Sequence, residues 1–98
     1  MKILDMPRVA GKTSYLVSRA TEDTPIIVAC ATCKGYITEL AKEMGKNVVC
    51  FTASEYAASE ELNGRYKSVL VDNVDAVLNV LLDTKVEIAT ITGEEWED

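Results

Sequence analysis

"PIIVACATCKGYITELAKEMGKNVVCF", residues 25 to 51, is the stretch that decides the fold. It opens on a bare apolar run of strand length, residues 25–30, rich in β-branched side chains. Ile37, Leu40, Ala41 and Met44 then recur at the spacing of one helix face, and Gly45 stands where a C-terminal cap belongs. "NVVCF", residues 47–51, is again of strand length. Neither strand alternates with polar residues, as a sheet open to water on one face would require. Continuous apolar strands joined through a helix predict a parallel pair with both faces covered.

Working outward, the same alternation continues. "KILD" at 2–5 is a short strand candidate leading into Pro7 and Gly11, and residues 12–21 read as a helix with Leu16 and Ala20 on one face, ended by "EDTP". Beyond residue 51, Thr52 and Glu55 have the spacing of a capping box and open a helix across "ASEYAASEEL". Asn63-Gly64 turns the chain. "SVLVD" (68–72) is a buried-type strand, "VDAVLNVLLD" (74–83) an apolar helix, "VEIATIT" (86–92) a last strand, and "GEEWED" an acidic tail. The expectation is an α/β fold, a three-layer sandwich around a five-stranded parallel sheet, forming a single domain over residues 1–98.

Composition narrows the function classes. At 48% hydrophobic and 27% charged, the 98 residues have an ordinary soluble, globular make-up. No apolar run approaches membrane-spanning length and no secretory signal stands at the N-terminus, so a cytoplasmic protein with no membrane association is expected, its three cysteines reduced. The net charge of −6 is unevenly spread: residues 1–49 carry seven basic and five acidic residues, residues 50–98 three and eleven. Extensive nucleic-acid binding is disfavoured by that balance.

"DMPRVAGKT", residues 5–13, precedes the first helix. A phosphate-binding loop needs backbone N–H groups at a helix N-terminus, a lysine for the outer phosphates and a hydroxyl for Mg²⁺. Gly11, Lys12 and Thr13 supply these groups. "SVLVD" has the form of a Walker B strand, which would place Asp72 opposite Thr13 around the metal. In "ATITG", Thr90 or Thr92 ends the last strand, where a polar side chain would face the terminal phosphate.

Together these motifs resemble P-loop NTPases of the RecA and helicase type, and in particular the short ATP-binding modules encoded in bacteriophages and prophages. The resemblance implies ATP and Mg²⁺ as ligands and a loop of Pro7, Arg8, Val9, Ala10, Gly11, Lys12 and Thr13 around the phosphates. It also implies Thr13 and Asp72 as metal ligands, Asn73 and Thr92 as the catalytic positions, and a strand order of first–fifth–fourth–second–third.

The chain departs from that pattern. Val9 stands where a glycine is usual, and Met6 takes the place of the first glycine of the older motif. A β-branched residue resists a positive φ. Asn73 replaces the acid that polarises the attacking water, and an amide cannot take a proton. An arginine finger is not evident, although Arg8 or Arg65 could act across a homo-oligomer interface. Weak nucleotide binding with slow or absent hydrolysis is therefore expected.

Other readings compete. One is a non-enzymatic adaptor that keeps the fold for a protein partner, with Trp96 in the acidic tail as a contact. Another is a thioredoxin-like redox protein using Cys30-x-x-Cys33. No proline follows Pro25 to supply the cis-proline of that fold, so a functional redox pair is not expected, and Cys30 and Cys50 read instead as small core residues. Zinc is disfavoured, with no histidine and only three cysteines. A thymidine-kinase-like loop would share Pro7, but the chain is short for that enzyme's substrate lobe.

Overall fold

In a computed structural model of the chain, residues 11–62 and 64–90 are described. The expected strand at 2–5, the loop residues Pro7, Arg8, Val9 and Ala10, Asn63 of the expected turn, and Thr92 and Trp96 lie outside them.

The elements run α1 (Lys12–Arg19), β1 (Ile26–Val28), α2 (Ala31–Glu43), β2 (Cys50–Thr52), α3 (Ala53–Ala58), β3 (Leu70–Val71) and α4 (Val74–Leu82). The three strands form one sheet in the order β2–β1–β3, every pairing parallel. Ile26 stands opposite both Cys50 and Leu70, so β1 is the central strand. The ladder extends past β3 by one bond, from the Asp72 N–H to the Ile27 carbonyl at 3.0 Å.

Side chains alternate across β1 as a strand with two buried faces demands. Ile26 and Val28 join Val17, Ala20, Ile37, Ala41 and Cys50 in one cluster, which is the face covered by α1 and α2. Ile27 points the other way, to Ala53 of α3 and Val77 of α4, with Phe51, Tyr56 and Val69 alongside. Val17, Ile26, Val28 and Ile37 are almost wholly buried. Each such side chain contributes about 1.5–3 kcal/mol by leaving water.

The helix ends follow their sequence signals. Thr52 accepts from the Glu55 N–H at 3.2 Å, and the Glu55 carboxylate accepts from the Thr52 N–H at 2.9 Å, completing the capping box. At the end of α2, Gly45 takes φ 69°, and the N–H groups of Gly45 and Lys46 bond the carbonyls of Lys42 and Ala41 in a Schellman pattern. Lys46 then folds back over the end of α1, donating to the carbonyls of Val17, Ser18 and Ala20 at 3.0, 2.8 and 3.1 Å.

The expected five-stranded P-loop sandwich is overturned: among the described residues the sheet has three strands, of three, three and two residues. Residues 86–90, expected as the start of a fifth strand, form no ladder. The Val86 N–H bonds instead to Oδ1 of Asn79 in α4 at 2.7 Å, and Ile88 is 84% exposed. Within the sheet, 68–72 beside 25–30 beside 47–51 is the adjacency that the five-strand order contained, but the order itself does not hold.

Candidate functional site at the carboxyl edge of the sheet

In parallel α/β sheets, ligands bind outside the carboxyl ends of the strands, where successive connections leave in opposite directions. Here that switch point lies between β1 and β3: from β1 the chain passes to β2 on one side, and β3 is added on the other. The loops at this point are residues 29–30 after β1 and Asp72-Asn73 after β3.

Three of the expected groups are drawn into one place. Gly11, the residue before α1, has φ 77° and ψ 22°, and no side chain caps the helix there. The space around a Cβ at Gly11 is open, so it is the left-handed backbone rather than crowding that calls for glycine. The first-turn N–H groups of α1 lack intrahelical partners, as in any helix, and carry the positive end of its dipole. Lys12 reaches 3.3 Å from Oδ1 of Asn73 and so spans from α1 to the loop after β3. Lys12, Thr13, Tyr36 and Asn73 line a cleft of about 430 Å³.

Asp72 is half-buried beside this cleft. Burial pushes its carboxyl above the ordinary value, while the positive charge of Lys12 pulls it back. A partly dehydrated carboxylate so placed gains from a cation. Thr13 is likewise partly buried. Among the described residues, no group of three or more His, Cys, Asp or Glu comes together, so no site built from such a group holds a metal there.

Asn73 has φ 58°, a left-handed conformation that asparagine tolerates better than most residues. Its amide oxygen is engaged by Lys12, which makes it a tether for the lysine. The spacing of the motif did not anticipate that role. Tyr36, from α2, also lines the cleft without any sequence signal, since an exposed aromatic on a helix face belongs to no periodic pattern.

The cysteines divide differently from the core reading. Cys50 is buried in the first cluster, and burial pushes its thiol up to about 11. Cys30 is exposed, at the N-cap of α2, with its sulfur 3.2 Å from that of Cys33. Hydrogen bonds from the Cys33 backbone and then its side chain hold the Cys30 thiol below its ordinary value. The Cys33 thiol is raised, first by its bond to Cys30 and then by burial. The pair sits at the same switch point, since β1 leads into it, and the Asp72 charge is felt at Cys33.

A second cleft, about 470 Å³, lies at the opposite edge, lined by Glu22, Asp23, Thr24 and residues 65–68. It precedes β1 and β3 in the chain, at the amino ends of the strands, where no helix among the described residues begins, and its two carboxylates, Glu22 and Asp23, stand with Arg65 and Lys67. The chemistry favours the carboxyl-edge cleft despite its slightly smaller volume.

No family model, curated protein or solved structure matches the chain. No helix among the described residues is long and apolar enough to cross a membrane.

Proposed function

We propose that the carboxyl-edge cleft binds a nucleoside triphosphate, with ATP and Mg²⁺ as the expected pair, and that turnover is slow or absent. The observation that carries this reading is the reach of Lys12 from the N-terminus of α1 to Asn73, beside the half-buried Asp72. It gathers a helix dipole, a lysine, a hydroxyl and a carboxylate at a topological switch point. In the bound state Lys12 would exchange Asn73 for phosphate oxygens, and the N–H groups after Gly11 would turn onto the same anion. Thr13 and Asp72 would hold the Mg²⁺, which would neutralise phosphate charge. The Asn73 amide can orient a water but not deprotonate it, which leaves binding stronger than catalysis.

Mg²⁺-ATP titration followed through backbone amide signals and by calorimetry tests the reading. Binding should shift the signals of residues 11–14 and 72–73, and Lys12→Ala should abolish it. Where the loop takes the left-handed turn that the resemblance implies at position 9, Val9→Gly should tighten it about tenfold, because that turn costs an L-residue roughly 1–2 kcal/mol that it does not cost glycine. If the native protein shows no shift at these residues and Val9→Gly restores none, the cleft is not a nucleotide site.

A further inference from the structure

We propose that Cys30 and Cys33 form a reversible dithiol–disulfide site, with Cys30 the attacking sulfur, Cys33 the resolving one, and disulfides as the class of substrate. The site is independent of nucleotide binding. It differs from the sequence expectation, which rested on the lack of a following proline, a feature of one particular fold and not of the chemistry itself.

Several independent observations carry the proposal. The sulfurs are 3.2 Å apart as free thiols, so a bond of about 2.05 Å needs them to approach by little more than 1 Å. Cys30 is exposed and Cys33 partly buried, the order of access that an attacking and a resolving thiol require. Cys30 is the N-cap of a thirteen-residue helix, where first-turn N–H groups and the dipole favour a thiolate. Cys50 packs in the core and gives the chain an internal unreactive control. The described residues gather no third Cys, His, Asp or Glu into a group with the pair, which distinguishes it from a four-ligand zinc site.

The chemistry closes without a cofactor. The Cys30 thiolate attacks one sulfur of a disulfide, RSSR. A mixed disulfide forms, and the departing thiolate takes a proton from water. The Cys30 thiolate is then consumed, and with it go the hydrogen bond that most strongly holds the proton on Cys33 and the charge beside it, leaving burial and the Asp72 charge. Cys33 loses that proton, attacks the Cys30 sulfur and releases the second thiol. Two electrons pass from the pair to RSSR, giving an internal disulfide and two RSH. The reverse sequence, with a dithiol reductant, restores the protein.

The test uses the full chain, reduced and then exposed to glutathione disulfide, with acid quenching, alkylation of free thiols and peptide mass spectrometry. The expected product is a Cys30–Cys33 disulfide with Cys50 free, and Cys33→Ser should trap a single glutathione on Cys30. In the native protein, Cys30 should alkylate at least about tenfold faster than Cys50 at neutral pH, since thiolate fraction and exposure set the rate. Wild-type protein alone decides the matter if the variant misfolds. Persistent glutathione adducts without an internal disulfide, no oxidation at all, or equal alkylation of Cys30 and Cys50 would each overturn the proposal.

Discussion

Replacing Lys46 by methionine isolates a single long-range tie between α2 and α1. The ammonium donates to three carbonyls at the C-terminal end of α1, those of Val17, Ser18 and Ala20, at 2.8–3.1 Å. The backbone N–H of Lys46 bonds to Ala41 and is unaffected by the change. Methionine keeps much of the apolar stem. After substitution the Ser18 carbonyl, the most exposed of the three, rehydrates, whereas those of Val17 and Ala20 are part-buried and lose this charged donor. A hydrogen bond to a charged group contributes roughly 1.5–3 kcal/mol, and a cation at a helix C-terminus a further 0.3–1 kcal/mol. The three bonds share one ammonium and do not add, and freeing the lysine side chain returns about 1.5–2 kcal/mol of rotamer entropy. The net loss should be about 1 kcal/mol, which for a domain of this size lowers Tm by roughly 4–8 °C. Urea and thermal unfolding followed by circular dichroism measure it, and amide exchange at Ala20 should quicken in the native state. A loss under about 0.5 kcal/mol, the range of an ordinary surface substitution, would refute the reasoning.

Three further outcomes are expected. Asn73→Ala should destabilise by about 1 kcal/mol, because alanine pays for the left-handed backbone there, while Asn73→Gly stays near neutral in urea unfolding yet frees Lys12. Thr52→Ala should cost about 1 kcal/mol through loss of the α3 cap, with Thr52→Ser close to wild type, read by the same unfolding curves. Burial raises the folded-state carboxyl of Asp72 above its unfolded value, so the folded state is penalised above that raised pKa and relieved as pH falls through it. Asp72→Asn should therefore stabilise the fold at neutral pH, with the gain vanishing in acid below the unfolded-state value, and a pH series of unfolding midpoints shows whether it does.

What could be read in the sequence was what local chemistry determines. The β1–α2–β2 unit, the capping box at Thr52 and the glycine cap at Gly45 each depend on residues a few positions apart. The face of α1 was read from Leu16 and Ala20, which do meet the core, Ala20 buried and Leu16 packed against the same cluster, but the fully buried Val17 between them was not read. Residues 86–90 show the limit. Their β-branched content resembles a strand, yet strand propensity reflects a fit to neighbours across the sheet, and those neighbours are not local. Asn79 takes the Val86 N–H, and the segment leaves the ladder. At the site, Lys12, Thr13 and Asn73 were singled out from the order of residue types along the chain, and the structure brings these three to one cleft. Lys46 was not legible, because a lone lysine after a helix carries no sign of the three carbonyls it meets in another element.

The clustering of both candidate chemistries at one edge has a common physical origin. Each strand of this parallel sheet runs the same way and delivers the chain to that edge, where a helix begins at Cys30, at Thr52 and at Asn73. Every such start exposes backbone N–H groups and the positive end of a dipole. Thr52 neutralises its own start with Glu55, whose carboxylate also pairs with Lys34 at 2.7 Å. The other two starts, and that of α1 at Gly11, have no side-chain cap. At α1 the waiting N–H groups stand with Lys12, which suits an outside anion; at α2 they face Cys30, which suits a thiolate carried by the chain itself. On the two proposals, one topology would serve two negative charges, one that arrives as ligand at α1 and one that is generated by loss of a proton at Cys30.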